Sequence, residues 1–149
     1  MKRLNISDEI ITLTTEGHPY ERDAPWSLRT DSIRVIGICN TLILDDDTDI
    51  IIFIDSELNS YKLTMSYISN QDLANLYLLL RQKFKLNFDM EVSKIEDTCV
   101  IVFPAVLYSQ PLYEKNWFQN FLCKIGFKDI TGFSFTQQIK SYLMPSQRR

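Results

Sequence analysis

The stretch SIRVIGICNTLILDDDTDIIIFIDSELNSYKLTMSYI, residues 32–68, decides the fold class. Ser32–Cys39 and Asn40–Leu44 are rich in Ile, Val and Leu, side chains that pack well on a pleated surface, and read as one bent strand or two. Asp45–Asp49 (DDDTD) reads as a turn, because Asp carboxylates bond nearby backbone groups. Ile50–Asp55 (IIIFID) reads as a strand covered on both faces, and Ser56–Ser60 as a second turn. In Tyr61–Ile68 the residues Tyr61, Leu63, Met65 and Tyr67 recur at every second position and so share one face. Consecutive strands joined by short turns define an antiparallel meander.

Downstream, the periodicity changes from strand to helix. Ser69 stands where an N-cap is needed, and Asp72, three residues on, supplies a capping-box-like partner. Leu73, Leu76, Tyr77, Leu80 and Phe84 then recur at helical spacing, which predicts a helix over Ser69–Phe84. Arg81, Lys83 and Lys85 sit near its C-terminal end, where the dipole favours cations. Strands are expected at Phe88–Ile95 and Cys99–Tyr108 around a turn at Glu96–Thr98, with Pro104 marking an edge strand or a bulge. Pro111 suits the first turn of a second helix, running to Ile125 and capped by Gly126; Tyr113, Trp117 and Phe121 form its apolar row. Phe133–Met144 is expected to be a third, shorter helix, and Pro145–Arg149 a frayed tail.

Upstream, Thr15–Thr30 (TEGHPYERDAPWSLRT) has no clear period and contains Gly17, Pro19 and Pro25, so it reads as an irregular arm. Met1–Leu13 does not read as a signal peptide, since Asp8 and Glu9 interrupt any apolar core. The order strands, helix, strands, helix implies one α+β domain over residues 1–149. Its expected form is an antiparallel sheet of five or six strands with two or three helices packed on one face. Leu73, Leu76, Tyr77, Leu80, Trp117, Phe121 and Ile52 are the expected core. A chain of 149 residues can bury such a core without a disulfide or a metal. Its three cysteines, Cys39, Cys99 and Cys123, are odd in number and form no C-x-x-C pair, which implies reduced thiols and a cytoplasmic protein.

Little in the sequence carries catalytic chemistry. With four glycines, well separated, there is no phosphate-cradling loop, and no cofactor is implied. His18 is the sole histidine; a zinc site would need it to meet all three cysteines from four distant segments. Glu16 and Glu21 flank His18 and suit it to acid–base work, although a solvated loop histidine is the commoner meaning. Asp45, Asp47 and Asp49 mimic the first three ligands of a calcium loop. The match then fails at Ile50, where Gly is needed, and at Ser56, where the bidentate Glu belongs.

Charge distribution is more informative. Residues 39–60 carry six acidic residues and no Lys or Arg, whereas residues 111–149 carry six basic and two acidic ones. The acidic segment, Asp45, Asp46, Asp47, Asp49, Asp55 and Glu57, would repel nucleic acid and attract a basic surface. The reading this supports is a non-catalytic protein-binding domain, a small acidic immunity or inhibitor-type protein that blocks a basic partner such as a toxin. Neither nucleic acid nor membrane is an expected partner, and no metal ligand is assigned. Two other classes remain open: a small hydrolase-like enzyme using His18 with nearby carboxylates, and an adaptor or lipid-binding module built on the sheet and the C-terminal helix.

Overall fold

The computed structural model describes residues 3–14, 25–43, 46–65, 68–87, 99–114 and 134–144. In chain order the strands are β1 (Arg3–Ile6), β2 (Ile10–Thr14), β3 (Trp26–Arg29), β4 (Val35–Ile43), β5 (Asp46–Ile54) and β6 (Ser60–Thr64). Helix α1 (Asn70–Phe84) follows, then β7 (Cys99–Phe103), β8 (Tyr113–Glu114), β9 (Ser134–Phe135) and helix α2 (Gln137–Leu143). The described strands form three antiparallel sheets, ordered β1-β2-β3, β6-β5-β4-β7 and β8-β9. A mixed α+β fold is therefore present, but as sheets of three, four and two strands rather than one sheet of five or six.

The four-stranded sheet is the central layer, and its sequence explains why. Ile50–Ile54 are all buried, so β5 is apolar on both sides, as a run without polar alternation requires. On one face Ile36, Ile38, Ile51, Phe53, Leu63 and Val102 meet Leu4, Ile11, Leu13 and Leu28 of the first sheet and Leu76, Leu79 and Leu80 of α1. On the other face Val35, Ile50, Ile52, Ile54 and Ile101 meet Leu112, Tyr113 and Ile139. The two described helices thus belong to opposite core layers. The expectation of helices on one face fails because β5 leaves neither side of the sheet free to face water.

Helix α1 forms where the periodicity places it. The Ser69 hydroxyl accepts from the Asp72 N–H at 3.2 Å and caps the N-terminus. Asp72 does not complete the reciprocal box; its carboxylate accepts the Leu4 N–H of β1 at 3.2 Å instead, tying strand to helix. Leu76 and Leu80 are fully buried, while Leu73 and Tyr77 pack at the margin. At the C-terminal end Lys85 adopts the left-handed conformation (φ 59°), and the Leu86 N–H closes onto the Leu80 carbonyl.

The expected irregular arm Thr15–Thr30 holds a strand at Trp26–Arg29, the third of the first sheet, while residues 15–24 lie outside the described residues. Leu4 and Ile6, Ile11 and Leu13, and Trp26 and Leu28 each obey strand spacing, and the ladder pairs Leu4 with Leu13 and Ile11 with Leu28. Ser7 closes the β1–β2 turn through its hydroxyl and the Ile10 N–H, 3.0 Å apart. Trp26 fastens this sheet to the next: its indole N–H donates to the Lys62 carbonyl at 2.9 Å, and its ring meets Phe53 and Tyr61 edge-on.

Two further expectations change. Pro111–Glu114 is extended rather than helical: Pro111 bridges Val100, and Tyr113 pairs with Phe135, on which its ring stacks. The rest of that expected helix, with Trp117 and Phe121, lies outside the described residues, as does Phe88–Ile95. Cysteine chemistry is the second. Cys39 and Cys99 face each other across the β4–β7 ladder, their Cα atoms 4.0 Å apart, and are joined in a disulfide. The expectation of three reduced thiols is overturned for these two, because strand register opposes residues 60 apart in sequence, which cysteine counting does not reveal. Cys123 lies outside the described residues.

Candidate functional site

The acidic segment is built on the β4–β5 hairpin. These strands pair over nine residues each, from Val35↔Ile54 to Ile43↔Asp46. Their neighbours are shorter: β7 pairs β4 only between Ile36 and Cys39, and β6 pairs β5 only between Ile50 and Ile54. Among the described residues, Asn40–Ile43 and Asp46–Asp49 therefore pair only with each other, as a two-stranded ribbon that outruns the sheet. At about 3.3 Å per residue, four residue pairs extend it by roughly 10–13 Å. Asp46, Asp47 and Asp49 are thus strand residues, not the turn that Asp45–Asp49 was expected to form; Asp45 lies outside the described residues. Asp is a poor strand former, so the hairpin ladder and the buried isoleucines at its root hold the ribbon extended.

Asp55 and Glu57 are at the other end of β5. Nine residue steps separate Asp46 from Asp55, roughly 30 Å of extended chain. Of the carboxylates read together from the sequence, the described ones are therefore divided: Asp46, Asp47 and Asp49 lie along the ribbon, Asp55 and Glu57 at the β5–β6 turn. Asp55 is the acceptor that closes the β5–β6 turn. It accepts from the backbone N–H groups of Glu57 (2.9 Å) and Asn59 (3.0 Å), the Asn59 side-chain amide (3.0 Å) and the Tyr61 hydroxyl (3.1 Å). Partial burial pushes its carboxyl pKa up, but the hydrogen bonds from Asn59, Glu57 and Tyr61 outweigh this and leave it below the ordinary aspartate value. Burial and the same hydrogen bond raise the Tyr61 hydroxyl. Glu57 is exposed in this turn. Sequence reasoning missed Asn59 and Tyr61 as partners of Asp55; the spacing D-x-x-x-N, typical of Asx-type turns, is the signal that points to them.

At the root of the ribbon, Cys39 is fully buried and Cys99 half-buried, packed with Ile50, Ile52 and Leu112. Gly37 lies two residues before Cys39 on the same face; a Cβ there would come within 2.8 Å of the Leu112 side chain. Burial pushes the Tyr113 hydroxyl pKa up in this same layer. His18, the sequence candidate for acid–base work, lies outside the described residues, with Glu16 and Glu21. Among the described residues no three His, Cys, Asp or Glu side chains are placed to hold a metal ion. No helix among them is long and apolar enough to cross a membrane. No protein-family model, curated protein or solved structure matches the chain.

Proposed function

We propose that the chain is a non-catalytic protein-binding domain that sets an acidic ribbon against a basic surface of a partner protein, as immunity and inhibitor-type proteins do. The observation that carries this reading is that, among the described residues, β4 and β5 extend beyond their sheet neighbours at the part of the chain where Asp45, Asp46, Asp47 and Asp49 cluster. A ribbon of that kind can enter a cleft that a flat sheet face cannot. Its like charges repel one another in the free protein, and a cationic surface relieves that repulsion. Exposed charges mainly speed encounter, while a few desolvated pairs control dissociation. Asp55 has a different part: it closes a turn at the opposite end of the strand, and the docking surface is centred on the ribbon.

The test is affinity capture from native lysate with two baits, the wild-type chain and Asp46→Asn/Asp47→Asn. Asp49 is kept because it is half-buried at the root and has an interaction of its own. A protein retained by the wild type in about 0.1 M salt, and lost both in about 1 M salt and from the charge-neutralised bait, supports the reading; the screening length falls from about 10 to about 3 Å over that range. Equal retention by both baits contradicts it.

A further inference from the structure

We propose that Cys39 and Cys99 form a reversible thiol–disulfide clip at the root of the ribbon, which sets how firmly the ribbon is held while the fold persists in both redox states. The position of the pair is the first argument. Cys39 is the last residue of β4 with a partner on β7, and Asn40, the next residue, begins the ribbon. The clip therefore ties β7 to β4 where the hairpin leaves the sheet, at the residue of β4 that also pairs with Ile50 of β5.

The second argument is that the surrounding structure does not need the bond to keep its register. Gly37 pairs with Ile101 and Ile38 with Val100 in the same ladder. On its outer side β7 is held by the Leu112 N–H on the Cys99 carbonyl (3.1 Å) and the Ile101 N–H on the Gln110 carbonyl (2.9 Å). Ile101 and Leu112 are fully buried between these elements. Reduction would leave two thiols directly opposite each other on paired strands, ready to close again without a backbone rearrangement.

Access supplies the third argument. Cys39 is sealed in the core, whereas Cys99 is half-buried, so a small thiolate reaches the bond from the Cys99 side. The reductant is a low-molecular-weight thiol. Its thiolate attacks the Cys99 sulfur, forms a mixed disulfide and releases the Cys39 thiolate, which takes up a proton. A second thiolate attacks the sulfur of the small molecule, releases Cys99 as a thiolate that is then protonated, and leaves as the oxidised dimer of the reagent. Two electrons and two protons pass to the protein; reoxidation by the dimer reverses each step.

The consequence for docking rests on the ribbon reading above, but the experiment uses the protein alone, so either can fail without the other. The wild-type chain is equilibrated in glutathione buffers from fully oxidising to fully reducing, free thiols are alkylated, and the Cys39–Cys99 linkage is read by mass spectrometry. Amide exchange is followed in parallel. The expected result is a reversible two-electron transition. On reduction, exchange becomes several-fold faster at 38–43 and 99–100, exchange at Leu76–Leu80 of α1 is unchanged, and Tm falls on the order of 5–15 °C. Cys99→Val should exchange as the reduced chain does and ignore the buffer. Three results would overturn the clip: no Cys39–Cys99 linkage under oxidising conditions, unchanged exchange at the root, or loss of protection in α1 on reduction, which would make the bond a structural one.

Discussion

Gly37 and Asp55 show how single residues hold this sheet. At Gly37 the absence of a side chain is what admits Leu112, which lies against the backbone of β4 on the second core face. Gly37→Ala puts a methyl 2.8 Å from a fully buried side chain, and the Leu112 terminus must move to relieve it. The expected cost is about 1–3 kcal/mol, read from urea unfolding at unchanged m-value. Asp55 acts through hydrogen bonds. Asp55→Ala removes the acceptor shared by Glu57, Asn59 and Tyr61 and should cost about 1–2 kcal/mol near neutral pH. Its carboxyl pKa is lower in the folded chain than in the unfolded one. The contribution is therefore fully present above the unfolded value of about 3.9, and is lost as pH falls through the lower folded value. The stability gap between wild type and Asp55→Ala should be constant from about pH 5 to 7 and shrink below about pH 4. A gap that persists in acid would show that Asp55 acts through packing instead.

At the scale of elements, α1 was the most legible part of the sequence, because an N-cap, an apolar stripe and a basic C-terminal turn all agree on its limits. Ser69→Ala should cost about 1 kcal/mol, the usual worth of such a cap. Leu76→Ala should cost on the order of 2–5 kcal/mol, since Leu76 is fully buried between α1 and the sheets. Thermal or urea unfolding checks both, and a smaller effect at Leu76 than at Ser69 would mean the packing face is misplaced. The β4–β6 meander was legible for a similar reason, in its short turns and apolar strands. The N-terminal strands were not, although Leu4, Ile6, Ile11 and Leu13 alternate as strands should. Each is only four or five residues long, and the third falls inside Thr15–Thr30, where Gly17, Pro19 and Pro25 read as an irregular arm. The run of aspartates misled in the opposite direction. Local propensity favours a turn, but the register of nine paired residues carries the strand through Asp46, Asp47 and Asp49. At Pro111 a residue suited to a helix start instead bridges Val100, since tertiary pairing overrode the local signal.

At the scale of the molecule, what no local reading supplies is which segments lie opposite one another. The disulfide illustrates this: Cys39 and Cys99 are unremarkable in sequence and adjacent only because β7 returns beside β4. The division of the acidic segment is the same lesson, as proximity in sequence within β5 becomes separation along an extended strand. With the first sheet and α1 on one side and β8, β9 and α2 on the other, the β4–β5 hairpin extends past its neighbours among the described residues. That extension is the basis of the docking claim, and Asp46→Asn/Asp47→Asn should weaken the captured partner on the order of tenfold, about 1.4 kcal/mol. Its thermal melt should stay within about 2 °C of the wild type, because Asn keeps the size of Asp and an acceptor oxygen.

The most direct test of the docking claim is amide hydrogen exchange of the chain alone and in complex with the captured partner. The account predicts slowed exchange in the complex at 40–43 and 46–49, with the β5–β6 turn at Asp55–Asn59 unchanged. Protection confined to other surfaces, such as the exposed Val106–Tyr108 turn or the outer face of α1 around Leu78, with ribbon amides exchanging as in the free chain, would contradict it.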